Sequence, residues 1–142
     1  MKRNNSIELL VENFLQKASV LNADYELIKV LKARTYKIAE ANVLIRAASA
    51  PSSRERYFFG INYIHVEELA NLDNPFIAFI CGHLDNTLIL PAQILFNNLP
   101  LISHDRNGEY KILLDSDLNI VLKGRNNILR LLQNSCDFYR KP

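Results

Sequence analysis

The sequence has little glycine: four residues in 142, Gly60, Gly82, Gly108 and Gly124. Neither G-x-G-x-x-G nor G-x-x-x-x-G-K-[ST] occurs, which excludes nucleotide hydrolysis on a P-loop. Cysteine is rarer still. Cys81 and Cys136 cannot build a disulfide framework or a four-cysteine zinc site, and C-x-x-C and H-E-x-x-H are both missing. Cys81 and His83 would share one side of a strand, but Cys81 follows the apolar run Phe76–Ile80 and reads as a small buried hydrophobe. No apolar run approaches the ~18–20 residues that span a bilayer, so no membrane partner is expected. The basic opening Met1-Lys2-Arg3-Asn4-Asn5 leads into a charged helical pattern instead of a signal-peptide core. The expectation is a soluble, cytoplasmic protein. There is no G-x-S-x-G elbow. Ser103, His104 and Asp105, as neighbours on an extended chain, point apart and read as the entry to a turn.

What is present is an ordinary globular balance, 49% hydrophobic and 23% charged, at a length that suits a single domain over residues 1–142. Ile7, Leu10, Val11, Phe14, Leu15 and Ala18 recur at helical spacing and predict an amphipathic helix over about 6–20, with Ser6 as its cap. Its stripe must be covered, so the helix is also an arm for self-association into a homo-oligomer, or for docking another protein. A second helix is predicted over Asp24–Ala39, from Leu27, Leu31 and Ile38. Strands follow at Asn42–Ser49 and Arg56–Ile64, the latter apolar on both faces and therefore expected at a sheet centre. Gly60 within it marks a bulge or a close approach. Val66–Leu72 suits a short helix. Phe76–Cys81 and Thr87–Leu90 suit a hairpin, Ala92–Leu99 a helix behind Pro91, and Glu109–Leu114 with Leu118–Lys123 a further hairpin. Asn126–Asn134 suits a closing helix. The expected class is α+β: two N-terminal helices, a mixed or mainly antiparallel sheet of about six short strands with interspersed helices, and a C-terminal helix.

Charge is unevenly placed. Residues 61–100 carry Glu67, Glu68, Asp73 and Asp85 and neither lysine nor arginine. Before them stand Lys29, Lys32, Arg34, Lys37, Arg46, Arg54 and Arg56, opposed only by Glu40 and Glu55. Lys123 and Arg125 extend the basic set near the end, beside Asn126 and Asn127. Such cations suit a phosphate backbone. The leading expectation is a small nucleic-acid-binding domain, acting in DNA or RNA processing through these basic residues, with no cofactor.

Glu109-Tyr110-Lys111 resembles the Glu-x-Lys of the PD-(D/E)xK nuclease superfamily. That resemblance implies a Mg²⁺-dependent nuclease of restriction or homing type, with Asp85 or Asp105 as the second carboxylate, Glu109 as a metal ligand and Lys111 at the attacking water. Glu8 or Glu12 would then resemble the superfamily's helical Glu. A third reading is a non-catalytic scaffold or inhibitor that binds other proteins. Tyr57, Phe58, Phe59 and Tyr63 form an aromatic group that suits either a stacking platform or, better, core packing. Asn62 among them needs a hydrogen-bond partner if buried.

Overall fold

The computed structural model describes residues 5–21, 28–38, 40–52, 56–123 and 128–129. Helix α1 (Asn5–Leu21) takes the predicted stripe and buries Val11, Phe14 and Ala18. The second predicted helix is not a helix. Ile28–Leu31 is strand β1 and Thr35–Ile38 is strand β2, an antiparallel pair turning at Lys32-Ala33-Arg34. Arg34 sits there in the left-handed region, at φ 48°. The segment is rich in β-branched residues, which fit a pleated surface better than a helix. Its neighbour also decides: β2 lies along β3 (Ala41–Ala48), pairing Tyr36 with Val43 and Ile38 with Ala41.

The expectation of one sheet is overturned as well. Strands β1, β2, β3, β5 (Pro75–Cys81) and β6 (Thr87–Pro91) form a five-stranded sheet in the order β1-β2-β3-β5-β6. Only β3 and β5 run parallel, Val43 beside Phe76 and Arg46 beside Phe79. A separate antiparallel sheet has the order β4-β7-β8-β9, from Tyr57–Asn62, Glu109–Leu114, Ile120–Val121 and Ile128–Leu129. Strand β4 is therefore an edge strand and not a sheet centre. The C-terminal helix predicted over Asn126–Asn134 has Ile128–Leu129 in a strand, and its other residues lie outside the described ones.

Three layers follow from strand alternation. On one face of the five-stranded sheet, Val43 and Ile45 of β3, Ala78 and Ile80 of β5, and Ile89 of β6 meet Val11, Phe14 and Ala18 of α1. The stripe that called for a partner is thus covered within the chain. On the other face Leu44, Ile77, Phe79, Cys81, Leu88 and Leu90 meet Phe59 and Ile61 of β4, with Ile112 and Leu114 of β7. Helices α2 (Tyr63–Ala70) and α3 (Ala92–Asn98) close that second core with Leu69, Ala92 and Leu95. Asn62, the odd polar residue of the aromatic run, ends β4 and caps α2, its Oδ1 accepting from the Ile64 N–H at 2.9 Å. Among the described residues, no helix is long and apolar enough to cross a membrane.

Candidate functional site

Among the described residues, the predicted basic set does not gather on one surface. Lys29 is exposed and its Nζ lies 5.9 Å from the centre of the Tyr36 ring, on the α1 side of the hairpin. Lys37 is registered with Ile28 on one side and Asn42 on the other, on the opposite face of β2 from Tyr36. Lys32 is exposed in the turn. Arg34 reaches back to α1, donating from Nη2 to Glu8 at 3.1 Å. Arg46 points the other way, into the space between the sheets. It is half-buried, and its Nη2 donates to the Gly60 carbonyl at 2.7 Å. Burial holds the Arg46 guanidinium below its ordinary pKa, the charge of Arg34 pushes the same way, and Glu109 opposes both. Arg56 is half-buried at the start of β4. Arg54, Arg125, Asn126 and Asn127 lie outside the described residues.

Of the residues of the nuclease resemblance, Asp105 lies beside Glu109 and within the field of Lys111, while Asp85 is remote from all three. Asp85 is exposed in the β5–β6 connection, where its N–H donates to His83 Nδ1 at 3.1 Å. That connection begins at Gly82, beside the Tyr57 hydroxyl, at one end of β4. Glu109 is registered with Asn62, at the other end. Asp105 serves its own turn, with Oδ1 accepting from the N–H groups of Asn107 at 2.9 Å and Glu109 at 3.0 Å. Glu109 and Lys111 do share a face of β7. Among the described residues, however, no three His, Cys, Asp or Glu side chains converge as metal ligands. Cys81 is buried in the second core, where burial pushes its thiol up to about 12, and His83 is exposed, so the pair shares no site.

The N–H donated by Glu109, above all, holds the Asp105 carboxyl below the usual carboxylate range. A depressed folded-state pKa contributes stability above the ordinary value that is lost as pH falls through the folded one. Asp105→Asn is therefore expected to flatten the acid limb of a stability–pH profile below about pH 4, with neutral stability changed much less. Parallel acid limbs in urea titrations would count against this assignment.

What the fold does build is a shallow groove on the outer face of the β4-β7-β8-β9 sheet. Phe58, Ser103, Lys111, Leu113, Val121, Leu122 and Lys123 line a volume of about 320 Å³. Alternation in β4 sends Phe59 and Ile61 into the core and turns Phe58, Gly60 and Asn62 outward. Phe58 keeps 43% of its surface exposed and is registered with Leu113, while Gly60 is registered with Lys111. Gly60 is the close approach foreseen from the sequence: a Cβ there would fall inside the Glu109 side chain. The missing side chain lets Glu109 lie across β4. Lys111 is exposed on that face, and its N–H is tied to Ser103 by a 2.8 Å bond to the carbonyl. The Lys123 N–H is tied to Leu101 O at 2.7 Å. The groove therefore has an aromatic and aliphatic floor and a lysine from each of two separate stretches of chain.

Lys111 stands out in the sequence as a catalytic candidate, Lys123 as a phosphate contact and Ser103 only as the entry to a turn, whereas Leu113 and Val121 carry no signal there. The signal for Phe58 was present in Phe58-Phe59-Gly60-Ile61-Asn62, where glycine and asparagine share the outward face. No family model, no curated protein and no solved structure matches this chain.

Proposed function

We propose that this protein binds nucleic acid, engaging phosphates through lysines on the outer face of its second sheet. The observation that carries this reading is the groove just described, with an apolar floor and Lys111 and Lys123 among its lining residues. Phosphate contacts supply affinity without sequence information, while a flat aromatic floor suits bases. The hairpin β1–β2 adds further cations. Lys32 and Lys37 are exposed, and neither forms an ion pair among the described residues. A two-stranded ribbon with Lys32 at its tip and Lys37 exposed on one face suits contact with a polyanion.

The test is a titration with DNA at about 50 mM and about 200 mM salt. Affinity is expected to fall at the higher salt. Lys111→Ala is expected to weaken binding and to reduce the slope of log K against log salt by about one. Salt-independent binding, or none at the lower salt, overturns the proposal.

A further inference from the structure

We infer that the groove is a single-strand site, in which one unpaired base stacks on Phe58 while the adjoining phosphate meets Lys111. This rests on the nucleic-acid reading above and narrows it to strands whose base faces are free. Three observations carry it. First, Phe58 presents a large exposed ring on an edge strand. The other β4 side chains that turn outward are Gly60, which has none, and Asn62, which is committed to capping α2. The ring is thus offered without a bulky neighbour on its own strand.

Second, the groove floor continues from Phe58 into Leu113 and Val121, both half-buried. A duplex keeps its base faces stacked inside and shows a protein only edges and backbone, whereas an unpaired base has an apolar face to bury. At about 320 Å³ the space is near the lower end of the ~300–1,000 Å³ of small-ligand clefts, which suits one nucleotide and not the width of a helix. Third, Lys111 is diagonal to Phe58, one alternation step along β7 from Leu113. Same-face neighbours on a strand are about 7 Å apart, a reach that links a stacked base to its own backbone. Two acids stand near: Glu109 lies over Gly60, where it acts on Arg46, and Asp105, whose carboxyl feels Lys111, is engaged by the N–H groups of Asn107 and Glu109.

The experiment compares a labelled oligothymidylate of about ten nucleotides with a duplex of the same length, by fluorescence anisotropy at low salt. The single strand is expected to bind at least about tenfold more tightly. Phe58→Ala is expected to weaken single-strand binding by about tenfold, the lower part of the range for one stacked base, a larger loss than for the duplex. Phe58→Tyr, which keeps a ring, is expected to restore it. Because Phe58 is outside both cores, the far-ultraviolet circular dichroism of each variant serves as a folding check. Equal affinity for the two forms, or a Phe58→Ala variant that binds the single strand normally, overturns this inference and leaves the broader reading standing. Absence of binding to either form overturns both.

Discussion

Replacing Phe79 by alanine is expected to cost about 3–5 kcal/mol. Phe79 is fully buried on β5, and its ring centre lies 4.8 Å from that of Phe59 on β4, tilted by 52°. The pair spans the gap between the two sheets. Removing one ring takes away its apolar burial and leaves a cavity bounded by strands held in their own hydrogen-bond ladders, which cannot close freely around it. Against a total stability of about 5–15 kcal/mol for a domain, that is a large fraction. Urea denaturation should show the midpoint falling with little change in slope, and Phe79→Leu should recover most of the loss. A cost below about 1 kcal/mol for Phe79→Ala would mean the sheets are not held together at this contact.

Phe14→Ala is expected to cost a similar amount, about 3–5 kcal/mol, through the opposite face of the same sheet. Phe14 is 2% exposed and packs in the core that α1 shares with β3, β5 and β6. The sequence alone left open whether this stripe is covered by the chain itself or by a second molecule. The two cases separate by concentration: a loss within one chain is the same at every protein concentration, whereas a loss at a subunit contact changes with it. Concentration-independent destabilisation is the expected result. The two phenylalanines occupy different cores with no residue in common, so their effects should add. The double variant is then expected to be largely unfolded at room temperature.

Much of the local structure was legible. The α1 stripe, the Phe76–Cys81 and Thr87–Leu90 hairpin, the short helix behind Pro91 and the Asp105–Gly108 turn all announce themselves through periodicity or turn chemistry. The departures have physical causes. Leu27, Leu31 and Ile38 satisfy a helical period, yet Ile28, Val30, Thr35 and Tyr36 are strand formers, and pairing with β3 decided the outcome. Long-range pairing is not a property of a window. The aromatic run Arg56–Ile64 was read as buried on both sides because nearly every residue in it is apolar. Its true alternation lies in the small exceptions, Gly60 and Asn62. The division into two sheets depends on where β4 crosses from one layer to the other, and no residue pattern encodes that crossing. The cations were visible as a cluster in the sequence, but alternation places Lys29 and Lys37 on opposite faces of β2's hairpin, and Arg34 and Arg46 reach in opposite directions. Lys111 and Lys123, separated in sequence, line one groove only after β7 and β8 have paired.

The single parallel pairing among the described residues, β3 with β5, has a kinetic consequence. Between these strands the chain leaves the first sheet, lays down β4 in the second and winds α2 before returning to place Phe76 beside Val43. The β1–β2, β2–β3 and β5–β6 ladders each close between sequence neighbours, at little entropic expense. Joining the two halves of the sheet requires a distant encounter. That encounter and the still more distant pairing of β4 with β7 are the slow events expected in self-assembly, and mutations in the aliphatic residues of β3 and β5 should slow refolding, beyond hastening collapse of the finished molecule.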